Sequence, residues 1–164
     1  MMNRDPVKDI NINSDTKLGD LVEQFGEAGG FVASKISTAS SIVKDMNSED
    51  CTKFVSFPAD IMATGTRGLM KQIVENDMAD VVVTTCGTLD HDIARVLADY
   101  YHGDFAMDDE LLRDEGVNRL GNVLVPDDSY GIPIERWMQP ILEDLYGEKK
   151  HWEPWEIWHE LGLR

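Results

Sequence analysis

Cysteine is nearly absent: Cys51 and Cys86 are the 2 thiols of 164 residues, too few for a disulfide framework and without the paired spacing of a zinc site. Basic side chains are also scarce, 15 Lys and Arg against 31 Asp and Glu. The resulting net charge of −16 repels phosphate backbones, so no nucleic-acid partner is expected. No apolar run approaches the ~18 residues of a membrane span, and no secretory leader is recognisable. A cytoplasmic chain without membrane contact is therefore expected. His91, His102, His151 and His159 have no ligand-like spacing, so no metal is expected either. Internal repeats, low-complexity tracts and the GxGxxG dinucleotide fingerprint are missing as well. What remains is an acidic chain with 42% hydrophobic residues. At this length, folding one domain can bury roughly 70% of the unfolded surface.

The first sixteen residues are polar and without period, which predicts a flexible arm over 1–16. Asp15 or Thr16 is then placed to cap a helix beginning KLGDLVEQF, with Leu18, Leu21, Val22 and Phe25 on one face. Gly29-Gly30 ends it, and a second helix is predicted from about Phe31 to Met46, its small residues permitting close packing. KFVSFPA reads as a short buried strand stopped by Pro58, followed by a turn over 60–66 and a helix over 67–78. VVVTTC, rich in β-branched residues, reads as a strand buried on both faces, and a helix follows from about Leu89 to Tyr101. Strand–helix–strand–helix predicts a parallel βαβ unit. Beyond it come a short acidic helix over 107–115 and a third strand or extended edge in RLGNVLV. A helix bent at Pro140 follows, then a terminal helix with Pro154 in its first turn and Trp155, Trp158 and Leu161 on one face. Two or three strands are few for an open α/β sheet, so the fold is expected to be incomplete within this chain.

Ligands of parallel α/β sheets lie beyond the carboxyl ends of the strands. Two successive strands here end in small polar turns, ADIMATGT and TTCGTLDHD. Gly65 and Gly87 allow a close backbone approach, the hydroxyls of Thr64, Thr84 and Thr85 can bond to ribose or phosphate, and the next helix starts favour anions. These turns are candidate nucleotide contacts; the plainer alternative is that Gly and Thr only make tight turns. Asp90-His91-Asp92 puts charge beside the second turn. Asp90 is suited to hold an ammonium and His91 to exchange protons near neutral pH, or Asp90 simply caps the helix and His91 is solvated. Cys86 reads as a small buried residue rather than a nucleophile, and Trp152, Trp155 and Trp158 as packing or interface.

At these residues the sequence resembles deoxyhypusine synthase. The matching phrases are QFGEAGGFVASKI, ATGTRGLMKQIVENDMADVVVTTCGTLDHDIAR, YYHGDF, LLRDEGVNRLGNVLVPDDSY and IERWMQPIL. They run in order from about Leu18 to the C-terminus, and the TLDHD wording is closer to archaeal members. The resemblance implies a three-layer parallel-sheet NAD-binding α/β fold, with 17–164 as its N-terminal half, and a tetramer with sites at subunit interfaces. It implies that NAD oxidises spermidine and that the aminobutyl group passes, as an imine, through an enzyme lysine to a lysine of translation initiation factor 5A. Ala59, Asp60, Ala63, Thr64, Gly65, Thr84, Thr85, Cys86 and Gly87 are thereby the expected cofactor contacts, and Asp90 and His91 the expected polyamine contacts. His91 stands where eukaryotic members carry a carboxylate, and Asp60 replaces an amide.

Family members are about twice as long, and their nucleophilic lysine lies in a Trp-Gly-Lys-type motif that none of this chain's eight lysines matches. No catalytic residue is therefore expected here. The expectation is a subunit of a split enzyme, completed in a hetero-oligomer with a tetramer-like core by a C-terminal-half chain that carries the lysine. The alternatives are a non-catalytic paralogue that assembles with a full-length enzyme, or an aminobutyl or amidine transferase acting on a small amine.

Overall fold

The computed structural model describes residues 4–164; residues 1–3, the start of the expected arm, lie outside the described residues. The chain divides into two compact units, one ending at Lys53 and the other spanning Phe54–Arg164.

The first unit is a pair of helices, α1 (Leu18–Ala28) and α2 (Ala33–Ser48), packed on each other. The small-residue reading of α2 holds at the contact: a Cβ on Gly26 would lie 2.7 Å from Ser37 Oγ. Neither Asp15 nor Thr16 caps α1. The cap position is Lys17, whose backbone N–H donates to Asp20 Oδ2 at 3.0 Å, so a carboxylate one turn inside the helix does the capping. Residues 4–17 have no regular structure but lie along α1. Lys8 N–H donates to Glu27 O at 3.2 Å, its Nζ to Glu27 Oε1 at 2.8 Å, and Asn11 N–H to Gln24 Oε1 at 2.7 Å.

The second unit is mixed α/β. Its parallel pair is β1 (Phe54–Phe57) and β2 (Val81–Thr84), in register Phe54↔Val81 to Phe57↔Thr84. Between them run a 3-10 helix over Ala59–Ala63 and α3 (Arg67–Glu75). The βαβ expectation therefore holds for these strands. Burial on both faces does not: Phe54 is 63% exposed, Val82 42% and Val83 54%. Among the described residues β1 and β2 have only each other as sheet neighbours, and these side chains are left uncovered.

After α4 (Gly87–Leu97) the chain makes a separate antiparallel sheet, ordered β3-β5-β4, from β3 (Tyr101–His102), β4 (Val117–Leu120) and β5 (Val123–Pro126). RLGNVLV is thus two strands of a hairpin and not one strand of the parallel sheet. Its turn is Gly121-Asn122, with φ +64° at Gly121 and no positive φ at Asn122, the backbone pattern of a type II′ hairpin that needs glycine first. That dipeptide between apolar residues was the available signal. A short α5 (Asp109–Asp114), capped by Asp108, precedes β4 and is clamped to it by a two-pronged Arg119–Asp109 pair at 2.6 and 2.8 Å.

The chain ends in α6 (Gly131–Glu148), with Pro140 inside it, and α7 (Pro154–Gly162), with Pro154 at its start. Their core is Ile141, Leu145 and Leu161, flanked by Trp137, Met138, Trp152 and Ile157. The indole N–H of Trp152 is shared between Leu145 O (2.9 Å) and Lys149 O (3.0 Å), which turns the chain into α7. Trp155 does not join Leu161 in this core; it is 68% exposed.

Candidate functional site

Both parallel strands end on the same side, as parallel pairing requires, and their two turns are tied together. Ala59 N–H, at the start of the first turn, donates to Thr85 Oγ1 in the second at 3.1 Å. The two threonine clusters are mostly spent on building these turns. Thr84 Oγ1 donates to Phe57 O at 2.8 Å, and the buried Thr88 hydroxyl, 2.5 Å away, must supply the proton between the two threonines. Thr64 and Thr66 Oγ1 each lie 2.7 Å from Ile61 O and 2.7 Å from one another. The two hydroxyl protons therefore stay within this cluster, shared with Ile61 O and between the threonines. Thr85 differs, because it accepts from Ala59 and keeps its own proton.

The glycines divide in the same way. At Gly65 an added Cβ would meet nothing within 4 Å, so this turn is open for a close approach. At Gly87 an added Cβ would lie 3.0 Å from the Ala59 Cβ. The missing side chain of Gly87 is thus filled by the first turn itself, a role that spacing alone did not reveal. Cys86, expected to be buried, is exposed: it stands at the start of α4, where β2 has run out and nothing in the described residues covers the turn.

α4 carries Asp90 and His91 on its first turns. Cys86, not Asp90, is at the cap position. The Asp90 carboxylate instead receives the Tyr130 hydroxyl at Oδ2, 3.3 Å away, so the capping alternative does not hold. His91 is not solvated as that alternative supposed. It is half-buried, with Nδ1 2.9 Å from Tyr100 Oη. The Tyr130 ring lies 5.2 Å from its centroid at 33° and the Tyr100 ring meets it edge-on at 5.8 Å and 88°. Burial lowers the proton affinity of His91 below the usual imidazole range, with the Arg95 cation acting the same way, against the opposing pull of the Asp90 and Asp60 carboxylates. The Asp60 carboxylate, on the first turn, is therefore close enough to act on His91 alongside Asp90. Burial pushes the Tyr100 phenol up to about 12, and burial together with Asp90 also raises that of Tyr130.

Arg95, about one turn further along α4, holds the first turn in place. Its guanidinium donates to Met62 O at 3.1 Å and, at very short range, to Thr64 O. A second ion pair, Arg67 Nε to Asp92 Oδ1 at 2.6 Å, ties α3 to α4. Tyr100, Tyr130, Arg95 and Arg67 escaped the reading of the sequence because their partners lie 9 to 40 residues away. The only local hint was Arg95 itself, a cation following Asp90 and Asp92 on one helix.

Beside these residues lies a shallow groove of about 270 Å³, lined by Ala63, Thr64, Gly65, Arg95, Tyr100 and Asn122, among others. That is below the ~300–1,000 Å³ of ordinary small-molecule sites. Among the described residues no group of three or more His, Cys, Asp or Glu is arranged to hold a metal ion, and no helix is long and apolar enough to cross a membrane.

Comparison with known proteins gives a consistent result. The family model for deoxyhypusine synthase matches residues 20–164. A probable deoxyhypusine synthase of Thermoplasma acidophilum is 56% identical over 158 residues, covering 96% of this chain and 51% of the relative. One from Picrophilus torridus is 53% identical over 161 residues, covering 98% and 52%. A more distant one from Sulfolobus acidocaldarius is 35% identical over 159 residues, covering 96% and 51%. The chain spans about half the length of the curated relatives it matches.

Proposed function

The chain belongs to the deoxyhypusine synthase family, and from that membership we propose that it supplies the cofactor turns and the amine-binding helix of an NAD-dependent aminobutyltransferase. In this reading spermidine is the donor and a lysine of translation initiation factor 5A the acceptor. The nucleophilic lysine comes from a C-terminal-half polypeptide outside these residues, in a hetero-oligomer with a tetramer-like core. The observation that carries the reading is the joining of the two turns, through Ala59 and Thr85, next to Asp60, Asp90 and His91. A dinucleotide site and a cation site then share one wall.

In this reading NAD lies along the two joined turns. The turns over 59–65 and 84–87 would line it, with the Thr64 and Thr84 hydroxyls and Gly87 shaping the turns and not touching it. Gly65 offers open space, Thr85 a free proton, and the α4 start a favourable place for negative charge. When bound, NAD supplies a hydride acceptor. The chain's own part is to orient the amine: Asp90 carries the countercharge, and Tyr130 holds that carboxylate in place. Asp60 adds a second negative charge where the family has an amide, which favours a cationic substrate and works against a close phosphate. The shallow groove and the exposed Phe54, Val82 and Val83 agree with a site and a sheet finished by other residues.

The test is purification of the tagged chain from its native source, with intact-mass measurement and NAD titration of what is recovered. An equimolar complex with a lysine-bearing half that binds NAD supports the proposal. A single polypeptide of about twice the mass would refute the two-chain arrangement, and recovery with a complete enzyme would favour the paralogue. A complex that ignores NAD would remove the cofactor assignment.

A further inference from the structure

The Asp90–His91 pair sits in a frame of two tyrosines, of which the proposed function uses only Tyr130. Tyr130 comes from the start of α6 and Tyr100 from the segment after α4, and each hydroxyl reaches one member of the pair. A phenol has one proton to give. Tyr130 faces a carboxylate, which only accepts, so its proton goes to Asp90. Tyr100 faces Nδ1 of an imidazole, and between two neutral groups the direction follows from acidity and basicity. The phenol is the better donor and the imidazole nitrogen the better acceptor, whereas a phenolic oxygen, its lone pair delocalised into the ring, accepts poorly.

We propose that Tyr100 is a positioning residue: by donating to Nδ1 it fixes His91 as the Nε2–H tautomer. Of the pair, Asp90 then accepts the substrate ammonium, and His91 offers a hydrogen-bond donor to a neutral or anionic acceptor beside it. The consequence for substrate rests on the function proposed above; the tautomer does not. One ammonium of the amine then rests on Asp90, while the His91 N–H is left for a neutral or anionic acceptor that the polyamine itself does not supply. Two cationic nitrogens side by side would put one of them against the His91 N–H. This differs from the two adjacent carboxylates that the family resemblance places here in eukaryotic members.

The surroundings agree with a neutral, oriented ring. The Tyr130 ring stands beside the imidazole at a 33° tilt and the Tyr100 ring meets it edge-on, which restricts rotation of the imidazole. The charged groups bearing on His91 are Asp90 and Arg95 from its own helix and Asp60 from the first turn, two carboxylates against one guanidinium. Burial nevertheless prevails and favours the uncharged ring. To become imidazolium, His91 would also have to displace the Tyr100 proton from Nδ1, so the hydrogen bond itself resists acid.

The experiment is nitrogen NMR of the histidine rings across pH in the full chain, with His91 assigned by loss of its signals in His91→Gln. The expected wild-type result is a pyridine-like Nδ1 and a protonated Nε2, titrating below the ordinary histidine range. Tyr100→Phe keeps the ring and removes the donor. It should abolish the tautomer preference and raise the His91 pKa by ~0.5–1 unit, the shift matching one neutral hydrogen bond. Tyr130→Phe should leave the tautomer unchanged. A protonated Nδ1 in the wild type, or a Tyr100→Phe titration superimposable on it, would overturn the proposal. The wild-type spectrum decides the tautomer even if a variant fails to fold. Loss of amine or NAD binding, measured separately, would count against the function and leave the tautomer standing.

Discussion

Replacing Gly87 by alanine separates two roles that one glycine can have. If Gly87 leaves room for a ligand, Gly87→Ala affects binding and not folding. The structure puts the Ala59 Cβ 3.0 Å from where the new methyl would stand. Carbon atoms settle at about 3.5–4.0 Å, so the shortfall is roughly 0.5–1 Å. Neither atom can swing aside, because both are fixed to backbone. The 3-10 helix over Ala59–Ala63 must move, and with it the Ala59 N–H bond to Thr85. Overpacking of this kind costs about 1–3 kcal/mol. Alanine in place of glycine returns at most ~1 kcal/mol of helix propensity, and less at the first position of α4. The expected net loss is ~0–2 kcal/mol. The sharper quantity is the coupling with Ala59→Gly, which removes the opposing methyl. Urea unfolding of the wild type, both single variants and the double variant should give a coupling of ~1–2 kcal/mol, the double variant being more stable than the sum predicts. A coupling within the ~0.3–0.5 kcal/mol of ordinary additivity would refute the packing role and return Gly87 to the ligand.

Two further outcomes follow from the same geometry. Arg95→Ala removes a charged donor from two carbonyls of the first turn, so a destabilisation of about 1.5–3 kcal/mol is expected. Amide exchange should rise first over residues 61–66, with Arg95→Lys recovering part of the loss; unchanged protection there would show that Arg95 does not hold the turn. Asp90→Asn keeps an acceptor for Tyr130 and is not at the cap of α4, so stability should change little. Spermidine affinity of the assembled complex should fall roughly 10-fold to 100-fold, one charge-assisted hydrogen bond. Equal affinity, read by calorimetry, would remove Asp90 as the amine contact.

What lay within a few residues along the chain was legible without a structure. The β-branched run 81–84 made β2, the small-residue helix packed closely, Pro154 began the last helix, and the two polar turns with Asp90 and His91 stood where parallel strands deliver them. The phrase DVVVTTCGTLDHD carried the family. These features rest on local torsional preference and on period, which a sequence displays directly. The hairpin at Gly121-Asn122 was local too, and was missed because its two strands are only four residues each. Other features were decided by distance in space. Gly87 is glycine because of Ala59, 28 residues before it. Asp90 is held by Tyr130 and His91 by Tyr100, and the first turn is clamped by Arg95. A hydrogen bond or a methyl contact depends on tenths of an ångström between residues far apart in the chain, and no pattern along the chain encodes that separation. For the same reason the apolar strands could be read as strands, but not as uncovered ones. Residue type sets the preference for burial, and only the elements packed around a residue determine whether it is buried.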